Sequence, residues 1–392
     1  MSEQHFQHLG SLLAHHAKQR PQDIALRHKQ LGLWQAWSWQ SLLDLSERFA
    51  AALQGYGFQK DQSVLIISSP NADVIAISLA VQALGGKVQL IDDHAEQLSA
   101  AQIHTYFRVI EPDYVLVEQL QQLAPLDQFR HLPIYIFYIE QNDLQHVEHE
   151  NIVAVEHLLA DARESQHVQF ECLQFEPQQT AFSFERVEQS ERLRVYYSHQ
   201  ELIQEAQQLV QTHQLNATEE AFVARAFSSV GHIRYLWSAW LYAGFTLNIP
   251  ESLDTRDQDR QIIAPTLVLG TKFTYQRVQQ RIQQRLPLAN TWLFKLYQNA
   301  LNRLLQQQKL SLPQKWLLAL FKQVILEELG FSRLKTALIV GEPPSDSSLA
   351  FYQALHIRLQ HWDNRANWQR SPLSISRFNS SDLSVSSISS AP

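Results

Sequence analysis

Apolar and polar positions alternate along the chain in blocks whose period changes from helical to strand-like and back. Leu9–Lys18 reads as a helix closed by Arg20-Pro21, and Ser38 can cap a second whose apolar face is Leu42, Leu45, Phe49 and Leu53. "SVLIISS" (Ser63–Ser69), "KVQLID" (Lys87–Asp92) and "DYVLVE" (Asp113–Glu118) are short apolar runs of strand length. Helical patterns at Asp73–Leu84, ended by Gly85-Gly86, and at Glu96–Ile110 separate them. Strand–helix–strand alternation predicts an α/β fold, a parallel sheet with helices on both faces.

The logic repeats further on. "IYIFYI" (Ile134–Ile139), "TLVLG" (Thr266–Gly270) and "KTALIVG" (Lys335–Gly341) read as strands. Ser198-x-x-Glu201 is a capping box that opens a helix running to about His213. A helical pair, about Tyr275–Leu305 and Pro313–Leu329, precedes the last strand. The second is amphipathic through Trp316, Leu317, Leu320, Phe321, Val324 and Leu329, and core packing is expected for that face. From Ser371 onward the serine-rich "SPLSISRFNSSDLSVSSISSAP" lacks periodicity and is expected to be disordered. One domain over 1–370, subdivided near 178, and a tail over 371–392 is the expected organisation.

Composition narrows the function. The chain has 392 residues, 45% apolar and 18% charged, with a net charge of −7 and dispersed basic residues. Nucleic acid, which needs clustered Lys and Arg, is not an expected partner. A single cysteine, Cys172, and the lack of a basic-then-apolar leader suit a cytoplasmic protein. The longest apolar stretches, Val74–Leu84 and Tyr235–Ile249, are too short or too interrupted to span a bilayer. Only 11 glycines occur, far below the usual share of about 7%, so few loops are shaped to wrap phosphate.

In order and spacing, "SLLAHHAKQRPQDIALRHKQLGLWQAWSWQSLLDLSERFAAALQGYGFQKDQSVLIISSPNADVIAISLAVQALGGKVQLID", "AGFTLNIPESLD", "APTLVLGTKFTYQRVQQRI" and "LKTALIVGEPPSDSSLAFYQAL" resemble the AMP-dependent synthetase and ligase superfamily. The likeness is strongest to the long-chain acyl-CoA synthetases and covers about Leu9 to Asn364. It implies stacked helix–sheet–helix subdomains, like the large N-terminal domain of adenylate-forming enzymes.

The family holds phosphate on a T-S-G-T-T-G-x-P-K-G loop ahead of a strand and S/T-H. Counting back from Ser198-His199 places that loop on Glu185–Arg194, where every glycine, every threonine and the lysine are replaced. Glu185, Glu188 and Glu191 would repel ATP. Arg186, Arg192 and Arg194 offer guanidinium forks, but side chains cannot rebuild a nest of glycine N–H groups, and the glutamates can pair with them. A solvated, charged hairpin is expected.

Gly341 and Pro344 match the G-x-x-P of the family's adenine-side segment. In "LQHWDNRAN", Trp362 or Asp363 falls where an aromatic residue stacks on adenine. The Thr-Glu that follows in the family becomes Arg365-Ala366 or Ala366-Asn367, with no carboxylate for Mg²⁺. Gly341, Pro344 and Trp362 are therefore vestigial adenine-side candidates, and no catalytic residue, metal ligand or cofactor is expected. The family's mobile domain with its catalytic lysine is also expected to be absent. "HVEHE" (His146–Glu150) and "HLGSLLAHH" (His8–His16) carry possible metal ligands, but His146, Glu148 and His149 lack helical i,i+4 spacing and a solvated polar loop is expected there. Ser229 rather than His232 falls at the family's acyl-site histidine. With these departures the resemblance implies a ligase-like pseudoenzyme, expected to be unable to adenylate, that acts in lipid or acyl metabolism as a scaffold or by binding an acyl group or a protein partner. The alternative is an active acyl-CoA ligase or acyl-adenylate former, using ATP and Mg²⁺ and completed by a domain in trans.

Overall fold

A computed structural model describes residues 8–92, 98–123, 134–139, 150–161, 168–174, 176–188, 191–225, 229–285 and 311–373, with Phe6 and a few positions between 295 and 303. The strands are β1 (Ile24–Gln30), β2 (Leu33–Ser38), β3 (Ser63–Ile67), β4 (Lys87–Ile91), β5 (Tyr114–Val117), β6 (Tyr135–Tyr138), β7 (Ile152–Ala154), β8 (Thr180–Glu188), β9 (Glu191–Ser198), β10 (Glu220–Phe222), β11 (Thr246–Ile249), β12 (Leu267–Gly270), β13 (Thr336–Val340), β14 (Leu359–Trp362) and β15 (Gln369–Pro372). The helices are α1 (Leu9–Gln19), α2 (Trp39–Gly55), α3 (Ala72–Ala83), α4 (Ala100–Ile110), α5 (Val155–Asp161), α6 (His199–His213), α7 (Ser238–Ala243), α8 (Arg256–Ile263), α9 (Lys272–Arg285), α10 (Leu312–Glu328) and α11 (Asp346–Ala354).

Two mainly parallel sheets result. One runs β14-β13-β12-β10-β11-β1-β2, the other β15-β9-β8-β4-β3-β5-β6-β7. Their strands are nearly continuous apolar runs because each sheet is covered on both faces. In β3, Val64 and Ile66 face a central core and Leu65 and Ile67 an outer one. In the other sheet Leu267 and Leu269 face the same central core, and Val268 faces a third cluster beneath α9, α10 and α11. The layers are thus helix, sheet, helix, sheet, helix.

The central layer holds α3, whose residues are buried on every side, and this explains why its sequence is apolar all round. Asn71 caps its start by accepting from the Val74 N–H at 2.9 Å. At its end the Gly85 and Gly86 N–H groups return to the Gln82 and Val81 carbonyls, a Schellman close that needs the positive φ of Gly85 (+80°). Trp39 and Trp240 stack beside it, with centroids 5.3 Å apart.

Two expectations need amendment. In α10, Ile325 and Leu329 are buried, but Trp316 and Val324 are 71% and 56% exposed and so fall outside the core-facing stripe, while the side chains of Leu317, Leu320 and Phe321 are not among those described. Ser371 and Pro372 lie in a strand rather than in a disordered tail; the rest of that tail, 374–392, is outside the described residues. "HVEHE" lies outside them too, except Glu150. Among the described residues no group of three or more His, Cys, Asp or Glu side chains is placed to hold a metal ion, and no helix is long and apolar enough to cross a membrane.

Candidate functional site

β8 leaves the C-terminal end of the parallel ladder with β4, where Ile91 pairs with Glu185, and turns straight into β9. Alternation sets the turn's two arms. Leu193, Val195 and Tyr197 point inward on β9, while Arg192, Arg194 and Tyr196 face the other way. The antiparallel register runs from Thr180↔Ser198 to Glu188↔Glu191, so Glu185–Arg194 is strand apart from Gln189 and Ser190, which are outside the described residues. On the other edge of β9 lies β15, with Gln369↔Arg194, Arg370↔Leu193, Ser371↔Arg192 and Pro372↔Glu191. The backbone N–H groups of residues 191–194 are therefore committed to two ladders. Among the described residues of this segment no run of N–H groups converges on one point, and those residues form no cradle for phosphate.

The hairpin's charges are paired, and not all of them are solvated as expected. Glu185 is 0% exposed. Arg192 Nε donates to its Oε2 at 2.8 Å and Arg194 Nε to its Oε1. Arg186 donates to Asp92 Oδ2 at 2.5 Å and to Glu188 Oε1 at 3.1 Å, and its guanidinium lies 4.8 Å from the centre of the Trp368 ring. The other oxygen of Asp92 accepts from the Val230 N–H at 3.3 Å. Burial pushes the Glu185 carboxyl up to about 7, opposed by Arg194 and Lys87. Sequence reasoning passed over Asp92; only its place at the end of an apolar strand hints at it.

The adenine-side candidates gather at the ends of β13 and β14, where Val340 pairs with Trp362. Gly341 adopts φ +84° with nothing within 4 Å of where a Cβ would stand, so the turn, rather than close approach of a ligand, requires glycine here. Its carbonyl accepts from His361 Nε2 at 2.5 Å. Pro344 is buried three residues on. Trp362 is packed against the central core between Tyr235 and His213, with both ring centroids 5.5 Å away. Its Nε1–H donates to His213 Nε2 at 2.8 Å, so that nitrogen carries no proton, and burial lowers the pKa of His213.

Arg234, which sequence reasoning did not single out, fixes the following loop. It grips Glu205 with Nε to Oε2 at 2.9 Å and Nη2 to Oε1 at 2.5 Å, and its Nη1 donates to the Arg365 carbonyl at 3.2 Å. Burial opposes its charge, but the Glu205 pair outweighs this and holds its pKa above the ordinary value. Tyr235 OH donates to the Asp363 carbonyl at 2.5 Å, and Asp363 itself is exposed and faces Arg365. The chain then passes through Trp368 into β15. The two segments that the resemblance places around a nucleotide are thus joined directly, strand to strand.

Residues 13–183 match the AMP-binding enzyme family. No curated protein matches the chain by sequence. Solved structures with a similar fold include the adenylation domain of a carboxylate reductase from Mycobacterium chelonae, 16% identical with a TM-score of 0.67, over 94% of this chain and 60% of that one. A fatty acyl-adenylate ligase from L. pneumophila, solved with acyl adenylate and pyrophosphate, is 15% identical with a TM-score of 0.60, over 90% and 53%. The N-terminal domain of FACL13 from Mycobacterium tuberculosis is 12% identical with a TM-score of 0.61, over 91% and 76%. The chain spans little more than half of the L. pneumophila ligase's length. Residues 13–183 thus match the AMP-binding enzyme family by sequence, and nine-tenths of the chain has the fold of the N-terminal domain of adenylate-forming ligases.

Proposed function

We propose that this chain keeps the adenylate-forming scaffold without forming adenylates, and acts by binding an acyl group or a protein partner. One observation carries the reading: β15 and β8 flank β9 over residues that align with the family's phosphate loop. Catalysis of adenylation needs preorganised donors aimed at charge developing on the α-phosphate. Here the donors of residues 191–194 face neighbouring strands, and the arginines face Glu185, Asp92 and Glu188. Gly341, Pro344 and Trp362 then serve as a turn, a buried anchor and an aromatic wedge.

Calorimetric titration with Mg·ATP tests this, followed by a long-chain acyl-adenylate analogue. No heat with Mg·ATP is expected. Micromolar binding would overturn the reading and favour its rival, an acyl-CoA ligase completed by a domain in trans. Binding of the analogue alone identifies an acyl-binding protein, and silence from both points to a protein partner.

A further inference from the structure

A cavity of about 450 Å³ opens at the C-terminal ends of β10 and β12, within the range usual for small-molecule sites. The segment Ser229–His232 divides it from the hairpin: Val230 faces Asp92, while Ser229 and His232 line the cavity. Its apolar wall comes from Phe222 and Leu253, with Phe273, 62% exposed, among its lining residues. Its polar wall is one-sided in charge. Arg225, Arg256, Arg260 and Arg277 line it, and no carboxylate does among the described residues.

Behind this wall, Asp257 on α8 turns its oxygens to Arg260 at 2.8 Å, Arg277 at 2.5 Å and Arg281 at 2.7 Å. Three guanidinium groups share that one carboxylate, so among the described residues this cluster carries two more positive charges than negative ones. Burial alone would raise the Asp257 carboxyl, but these arginines outweigh it and hold it at about 2. The start of α9 adds the positive end of a helix dipole through Thr271 and Thr274, which also line the cavity.

We propose that this cavity binds a small amphipathic dianion, a phosphomonoester on a compact apolar body. Guanidinium forks match phosphate oxygens two at a time. A doubly charged head balances the excess that a carboxylate would halve and an alcohol would leave untouched. The proposal stands whether or not the chain adenylates, since it uses none of the hairpin residues.

The test is calorimetric titration of the full chain with decyl phosphate, decanoate, decanol and inorganic phosphate, each below any micelle-forming concentration. Decyl phosphate is expected to bind at least about tenfold more tightly than decanoate, with decanol and inorganic phosphate weaker still. Arg256→Gln is expected to weaken decyl phosphate about tenfold, and Leu253→Trp to block binding by filling the apolar side. Should Arg256→Gln fold poorly, Arg225→Gln gives the same reading. Decanol or decanoate binding as tightly as decyl phosphate would overturn the proposal, as would unaltered affinity in the arginine variants or no binding to the wild type.

Discussion

Glu185 has no solvent exposure, and its carboxyl titrates near 7 instead of near its ordinary 4.5. The folded state therefore holds this proton more tightly than the unfolded chain does. The resulting stability is present in full below about pH 4.5 and lost as the pH rises through about 7. Glu185→Gln removes the titration. Its unfolding free energy relative to wild type is expected to climb by a few kcal/mol across that window, at about 1.4 kcal/mol for each tenfold difference in proton affinity between the folded and unfolded chain. Urea denaturation of both proteins at pH 4.5 and pH 8 reads this directly, and a constant difference would refute it. The charges of this hairpin, and that its glutamates can pair with its arginines, were legible in the sequence; the particular partners and the burial of Glu185 were not. Glu185 is buried while Glu188 and Glu191 are exposed because strand register puts Glu185 opposite Arg194 on a covered stretch. The turn fixes the hairpin's register, but which stretch of it is covered depends on packing from distant parts of the chain, which no local pattern records.

Among the elements, β15 was the hardest to read. Gln369–Pro372 has little strand propensity, and its partner lies about 175 residues earlier in the chain. Deleting residues 367–392 is expected to speed amide hydrogen exchange at Glu191–Arg194 while leaving β4 and the inner part of β8 protected, because only the outer ladder of β9 is lost. Equal protection in the truncated chain would mean that β15 does not hold the hairpin. Helix α10 teaches a related lesson. Among its described side chains Ile325 and Leu329 are buried, and Trp316, nine residues before Ile325 at about 100° each, lies on the far side. The apolar pattern marked a helix correctly but was too wide to say which arc meets the core. Caps and strands with purely local causes, such as Ser38, Ser198 and Ser63–Ile67, appear where the sequence put them.

Across the whole molecule, three buried histidines join the first helix to distant ones. His8 and His199 meet with ring centroids 3.5 Å apart, and His16 donates through Nε2 to the Leu241 carbonyl at 2.7 Å while its Nδ1 accepts from Arg20. Burial lowers all three, His8 to about 3 and His16 to about 4. The unfolded chain binds these protons near 6.5, so stability rises with pH up to that value and is lost as the pH falls towards 4. Thermal melts from pH 7 to 4 are expected to show this loss, and His199→Phe to shallow the slope; an unchanged slope would place the acid lability elsewhere. The layered architecture was visible beforehand because continuous apolar runs separated by helices admit few other arrangements. Which sheet each strand joins was not, since β1 pairs with β11 more than two hundred residues away.

The strand that closes the hairpin also ends its sheet. An unpaired edge is a template on which another chain can add, and cross-chain growth of this kind leads to aggregates. Among the described residues the outermost strand here is short and exposed at every position, carries Arg370, and finishes in Pro372, which has no N–H to offer a newcomer. At the opposite edge β7 is only three residues long. The eight-stranded sheet is guarded at both margins, and the same four residues that fill the hairpin's flank keep it from recruiting a ninth strand.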